Sequence, residues 1–345
     1  MRLPWSLLIS ACLRTAFLAE YNVYCTIAKI VWAAIYSVWY AKVTSVEYPL
    51  IDRGKKGDIY MSLLFYNRNS GLSQLYNTDG QGGITQLNSY SFGQTTWTHI
   101  VPCYTGYYTT LLFYDSRSGT AEFYKLDKYG NLSRLSSTTY SPGWTHIILF
   151  PTPGAPDNEL LFYNSTSGLA QKYSADGQGG INQLSSTTYA TGWTHILGGN
   201  FTYDLSASAL FFYNSTSGLA QFYYIDRQGD IHQASSTTYS TGWTHIVPGS
   251  FGLFFYNGTS GLGQFYKTDG SGGIQQLSST TYSTGWTHIV DVPVLQGSDD
   301  DLLFYNGNSG VAQFYRTDRQ GHINQLSNTT YSTGWTIIEW LDILS

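Results

Sequence analysis

Along most of the chain, short apolar runs alternate with polar, glycine-rich stretches at a nearly fixed period. Copies of L-[LF]-F-Y-[ND] begin at Leu63, Leu111, Leu160, Leu210, Leu253 and Leu302, spaced 48, 49, 50, 43 and 49 residues apart. In the fourth copy, Leu210–Tyr213 is an apolar aromatic run closed by the turn-rich loop 214–218. Leu219–Ile225 is a second strand-like stretch, ended by Asp226-Arg-Gln-Gly229, an Asp-to-Gly spacing that suits a tight hairpin with one residue at positive φ. Ile231–Tyr239 is the third and Trp243–Val247 the fourth. A variable loop follows and absorbs nearly all the length differences between copies. Four short strands per repeat of about 40–50 residues is the pattern of a propeller blade, whereas a solenoid coil needs a shorter period.

The pattern therefore predicts an all-β fold: a six-bladed β-propeller of four-stranded blades over residues 63–345. The variable loop lies between the W-T-H-I-V strand and the next L-F-F-Y strand. With the former innermost, each copy supplies three outer strands and then the inner strand of the following blade. The last copy ends in Trp335-Thr-Ile-Ile-Glu-Trp340 with no blade after it. It is expected to complete the blade that starts at Leu63, so that the C-terminal strand closes the ring and no sheet edge is left open at the join.

Residues 1–45 are different in kind. Met1-Arg2 precedes an apolar run from Leu3 to Leu13, and a second run spans Thr26 to Ala41 with Lys29 inside it. The segment reads as a secretory signal or membrane anchor, a helix packed on the domain, or a non-native extension, and the sequence leaves these open. Residues 46–62 are a linker. Contact with a membrane is expected only through residues 1–45, and a secreted or cell-surface location follows from the signal reading.

Composition supports the β assignment, since 30 Tyr, 17 Phe, 10 Trp and 36 Gly favour strands and tight turns. The net charge of −5 is split between +3 over residues 1–62 and −8 over the rest. No basic cluster could neutralise a run of phosphates, so nucleic acid is excluded as a partner. Cys12, Cys25 and Cys103 make no disulfide framework. Asn-x-Ser/Thr sequons stand at Asn131, Asn164, Asn200, Asn214, Asn257 and Asn328, mostly as a by-product of repeats rich in Asn, Ser and Thr.

Candidate chemistry sits in the repeated motifs. His99, His146, His195, His245 and His288 occupy one position in five copies, with Ile337 in the sixth. A metal ring is one reading; a hydrogen bond from each imidazole to the neighbouring blade's backbone is favoured, because metal sites use three or four converging ligands. No metal or cofactor is expected. The aromatic pairs Tyr189 and Trp193, Tyr239 and Trp243, and Tyr282 and Trp286 recur where one blade hands over to the next. A pyranose has apolar C–H faces and a rim of hydroxyls, so an aromatic platform flanked by Gln, Asn, Ser and Thr suits it. Those six residues are the expected ligand-binding set, with glycans or glycoproteins as partners, although Trp alone also suits packing of blade on blade. The single Asp per copy (Asp79, Asp127, Asp176, Asp226, Asp269 and Asp318) reads as a turn residue. No nucleophile elbow, phosphate loop or H-E-x-x-H is present and the repeats are nearly interchangeable, so the leading reading is multivalent carbohydrate binding without catalysis, with a structural or protein-interaction propeller lacking a small-molecule site as the alternative and a glycan-active enzyme last.

Residues 63–345 resemble propeller lectins with repeats of this length, of the tachylectin type and the bacterial fucose-binding type. The likeness lies in architecture and in the Trp-, Tyr- and Gly-rich blades. The L-L-F-Y-N strand also resembles FG-GAP or VCBS propeller repeats, which place a D-x-[DN]-x-D-G calcium loop just before it. The matching loops here, 200–204, 248–252 and 297–301, lack that ligand set, so calcium is not implied. Asp299, Asp300 and Asp301 read as a solvated loop, since three adjacent carboxylates cannot all face one ion.

Overall fold

The computed structural model describes residues 61–343, apart from short stretches at 93–95, 106–107, 154–157, 200–207, 250–251, 270–271, 294–299 and 319. The expectations for residues 1–45, and most of the linker at 46–62, lie outside the described residues. Those described contain 24 strands and no helix, arranged as six four-stranded antiparallel sheets.

From the channel outward, blade 1 is β24 (Ile337–Asp342), β1 (Met61–Asn67), β2 (Leu72–Thr78) and β3 (Ile84–Ser91). Blade 2 is β4 (His99–Thr105), β5 (Tyr108–Tyr114), β6 (Thr120–Leu126) and β7 (Leu132–Thr139). Blade 3 is β8 (His146–Phe150), β9 (Glu159–Tyr163), β10 (Leu169–Ala175) and β11 (Ile181–Thr188). Blade 4 is β12 (His195–Gly199), β13 (Ser208–Tyr213), β14 (Leu219–Ile225) and β15 (Ile231–Thr238). Blade 5 is β16 (His245–Gly249), β17 (Gly252–Tyr256), β18 (Leu262–Thr268) and β19 (Ile274–Thr281). Blade 6 is β20 (His288–Pro293), β21 (Asp300–Tyr305), β22 (Val311–Thr317) and β23 (Ile323–Thr330).

The blade is the sequence reading with small shifts of boundary. The closing strand pairs antiparallel with β1, from Met61 opposite Asp342 to Tyr66 opposite Ile337. The ring is thus sealed by the last strand of the chain.

Burial follows strand order. The second strand of each blade is covered on both faces by its neighbours, which is why it reads as an unbroken apolar run; Leu210, Phe211, Phe212 and Tyr213 are each 0% exposed. The third strand alternates, and the outermost strand is largely exposed, carrying Ser-Ser-Thr-Thr or a near equivalent. In every blade the register between these two strands slips by one residue, at Phe222/Tyr223 in blade 4. A bulge there increases local twist and turns the outer edge away from straight pairing with other strands. The core is six clusters, one at each blade junction.

Candidate functional site: the blade junctions

Each junction is built from the same parts. At the junction of blades 4 and 5, Trp243, Phe255 and Ile246 are buried, and Tyr239, Tyr266 and Leu262 are packed on them from the outside. Trp243 meets Phe255 edge-on, with ring centroids 5.6 Å apart, and Tyr266 meets the same Phe255 at 5.1 Å. The Tyr266 hydroxyl donates to Gln264 Oε1 at 2.7 Å. Equivalent Tyr-to-Gln bonds join Tyr76 to Gln74, Tyr173 to Gln171, Tyr223 to Gln221 and Tyr315 to Gln313. Gly218 and its equivalents make this geometry possible. It sits at φ +75° where an added Cβ would strike the Tyr239 carbonyl, and Tyr239 N–H donates to the Gly218 carbonyl at 2.9 Å.

The structure divides the six expected ligand-binding residues by type. Trp193, Trp243 and Trp286 are only 2%, 4% and 6% exposed and belong to the cores between blades. No indole face is open to a pyranose, so their assignment to a binding platform is corrected. The indole precedes the inner strand and is covered from both blades, which makes it a packing residue. Tyr189, Tyr239 and Tyr282 are partly exposed at the outer ends of the same junctions. Burial pushes the Tyr239 hydroxyl up to about 12 and raises those of Tyr189 and Tyr282 as well. All three are therefore neutral donors at physiological pH.

The histidine ring takes the hydrogen-bonded form. The Nε2 atoms of His99, His146, His195 and His245 lie 3.1–3.2 Å from the carbonyls of Thr145, Thr194, Thr244 and Thr287, each on the next blade. His288 makes the same bond to Thr336. A carbonyl can only accept, so Nε2 carries the proton, and Nδ1 accepts from the preceding threonine hydroxyl at 2.8–2.9 Å. Burial holds all five imidazoles below their ordinary range and hence neutral. Among the described residues, no group of three or more potential ligands could hold a metal ion.

The junction of blades 1 and 2 departs from the other five. Ile337 replaces the histidine. In its stead Arg68, where the other copies carry Ser116, Ser165, Ser215, Gly258 and Gly307, sends Nε to the Trp97 carbonyl at 3.0 Å and Nη2 to the Thr98 carbonyl at 3.3 Å. Two residues after the histidine position, the other inner strands carry Val101, Ile148, Leu197, Val247 and Val290, whereas β24 carries Glu339. Burial pushes the Glu339 carboxyl up to about 8. Phe92 stands in place of the outer tyrosine, and Glu122 in place of glutamine, where it accepts from the Tyr124 hydroxyl and pairs with Arg134 at 3.2 Å. Sequence reasoning noted Ile337 and passed over Arg68, Glu339, Phe92 and Glu122 as a group. The signal was present as single-copy breaks in an otherwise uniform repeat.

Other charges are structural. Asp226 Oδ1 accepts from the N–H groups of Gln228 and Asp230 at 2.9 Å, the turn role expected of it, and Asp79, Asp127, Asp176 and Asp318 act alike. The reading of Asp300 and Asp301 as part of a solvated loop is corrected, while Asp299 lies outside the described residues. Asp300 and Asp301 lie in β21 at 7% and 2% exposure, and Asp301 pairs with Arg316 at 2.9 Å. Lys172 takes the place of the Phe222 of blade 4 and forms a buried pair with Glu159 at 3.1 Å, helped by the Gly229 carbonyl and the Thr152 hydroxyl.

No family model matches the chain, and no curated protein matches it in sequence. Solved structures do. A proposed 6-phosphogluconolactonase of Bacteroides fragilis superposes with a TM-score of 0.54 at 13% identity, over 84% of this chain and 99% of its own. The periplasmic gluconolactonase of Pseudomonas aeruginosa gives 0.53 at 14% identity, over 84% and 83%. A protein from Lactobacillus plantarum gives 0.54 at 15% identity, over 82% and 100%. At such identities the likeness is one of fold: this chain is a β-propeller. A closer kinship to lectin or FG-GAP repeats does not follow from these neighbours. The expectation that the chain is not an enzyme is overturned, because two of the neighbours carry lactonase names, and near-uniform blades give no ground for excluding catalysis.

Proposed function

We propose that the propeller binds carbohydrate at its blade junctions, through the partly exposed tyrosines and the Tyr–Gln pairs beside them. The observation that carries this reading is repetition of one half-buried, polar aromatic surface at five junctions: Tyr140 with Gln171, Tyr189 with Gln221, Tyr239 with Gln264, Tyr282 with Gln313, and Tyr331 with Gln74. A tyrosine edge gives apolar contact to sugar C–H groups, and neutral hydroxyl and amide groups exchange hydrogen bonds with a ring of hydroxyls. Each site is weak alone, and several on one rigid ring gain strength against a multivalent glycan. Such a role belongs outside the cell, so secretion or surface display, with glycans or glycoproteins as partners, is part of the proposal.

A glycan array probed with the full chain, followed by titration calorimetry on any hit, tests it. Five equivalent sites per chain are expected. Tyr239→Ala should remove one of them while leaving the melting temperature within a few degrees, since a partly exposed side chain costs little stability. An array without hits, or a variant that melts far lower yet binds as before per folded molecule, sinks the reading.

A further inference from the structure

Resting on the carbohydrate reading above, we propose that the glycan is acidic, and that Arg68 and Arg117 hold its carboxylate or sulfate where the turns of blades 1 and 2 meet. Strands alternate in direction, so one end of the ring gathers two kinds of segment: the turn between the second and third strands of each blade, and the link from each outermost strand to the next inner strand. The outer tyrosines lie at this end. The turns are 67–71, 115–119, 164–168, 214–218, 257–261 and 306–310, and the links are 92–98, 140–145, 189–194, 239–244, 282–287 and 331–336. Together they hold three charged residues, Arg68, Asp115 and Arg117. The opposite end carries the six Asp-to-Gly hairpins, with Asp300, Asp301 and Asp342 at strand ends beside them. An anion is repelled from that acidic end and steered to the other, where the only cations of the turns and links stand on neighbouring blades.

The two arginines converge on one residue. Arg68 Nη2 donates to the Thr98 carbonyl, while Ser116 N–H, next to Arg117, donates to the Thr98 hydroxyl at 2.9 Å. Arg68 spends two of its five N–H groups on backbone carbonyls, is partly exposed, and has no ion-pair partner among the described residues. Holding those carbonyls needs only a neutral donor, as the five imidazoles show. A guanidinium adds a charge that the protein itself does not answer. The Arg117 side chain is 67% exposed, and its Nε lies 3.5 Å from Asp115 Oδ1. That pair is weak, because Asp115 already accepts from Arg117 N–H and from the hydroxyls of Thr96 and Ser118.

Both cations are single-copy exchanges of small neutral residues. Ser or Gly stands at the Arg68 position in the other blades, and Asn or Thr at the Arg117 position. They fall at the junction where Phe92 and Glu122 replace the tyrosine and glutamine of the other five. The ring thus offers neutral sugar surface at five junctions and cationic surface at the sixth. A guanidinium fork matches the paired oxygens of a carboxylate or sulfate, and its bonds to them are charge-assisted.

Titration calorimetry on the full-length protein tests this with trisaccharides of glucose, galactose and mannose, each in neutral, uronate and 6-sulfated form. On the framework that binds most tightly, an acidic member should bind about tenfold tighter than the neutral one, a preference that shrinks as salt is added. Preference for the uronate names a carboxylate as the recognised group and preference for the sulfated form a sulfate; either supports the proposal. Arg68→Ser and Arg117→Thr, which install residues found in other blades, should each cut the preference roughly threefold and together abolish it. Arg227→Gln, which removes an exposed charge from the hairpin end, should leave it whole. The preference is a ratio of two affinities in one protein, so a variant that folds less well still reports it, and Arg117→Thr alone decides if Arg68→Ser does not fold. Binding of no member by the wild type would defeat the carbohydrate reading and this proposal with it. Equal binding of neutral and acidic members, or a preference unchanged by Arg117→Thr, would overturn this proposal alone.

Discussion

Five junctions of this ring and the sixth solve the same problem with different chemistry. In the five, a neutral imidazole reaches the next blade's carbonyl and an aliphatic side chain lines the space two residues along. In the sixth, a permanently charged guanidinium spans the gap and a carboxyl lines it. At every junction, the sixth included, the chain runs from the outer strand of one blade into the inner strand of the next; what sets the first blade apart is that it is completed only when the C-terminal strand arrives. Uniform junctions therefore supply the ring's repetitive surface, and the single irregular one supplies whatever it has of individuality.

The largest effect should come from removing the part that only the first blade borrows. Deleting residues 335–345 takes away Trp335, Ile338 and Leu341, which are 3%, 5% and 0% exposed, and bares the edge of β1. Losses of roughly 2–5 kcal/mol for each large buried side chain reach the whole stability of an ordinary domain. The truncated chain should lose its cooperative thermal transition. Near-native melting with a frayed terminus would show that the ring does not depend on this closure.

Next in size is the split between indole and phenol. Trp243→Ala should cost about 3–5 kcal/mol by denaturant titration, as expected for emptying a core site of that volume. A cost below about 1 kcal/mol would return the indole to the surface and reopen it as a platform.

How much of this was legible in the chain is clearest at Trp243 and Glu339. The repeat gave the strand count, the blade boundaries and the closing strand, because length variation confined to one loop marks where blades meet. It did not give direction. Trp243 recurs as faithfully as Tyr239, and repetition alone does not say that the indole turns into the junction while the phenol stays at its rim. The fourth strand, read as starting at Trp243, begins at His245, so the indole belongs to the link before it. Glu339 was visible as a break in the consensus, but its meaning depends on alternation along the inner strand. Once His245 is seen to face the next blade, the residue two positions along must face it too, and only then does a glutamate there become a carboxyl group in a seam.

The smallest effect separates the two kinds of lock. The five histidines are held below 6.5 in the folded state, so in mild acid the unfolded chain binds more protons than the folded one. Stability is therefore full above about 6.5 and falls as the pH drops from there through the folded values. His245→Ala should cost about 1 kcal/mol at pH 7.5, the net worth of a hydrogen bond. At pH 5 the same variant should cost less, because the wild type then carries the penalty of keeping its imidazole neutral and the variant does not. Arg68→Ala should also cost about 1–2 kcal/mol, a bond from a charged donor, and should change much less between the two pH values, since a guanidinium does not titrate in this range and its charge is the smallest of the effects that lower His99. Paired denaturant titrations of the two variants at pH 5 and pH 7.5 measure the difference directly. If the cost of Arg68→Ala shrank in acid as that of His245→Ala does, the sixth junction would be relying on the neighbouring His99 for its hold, and the contrast between a titrating and a permanent lock would fail.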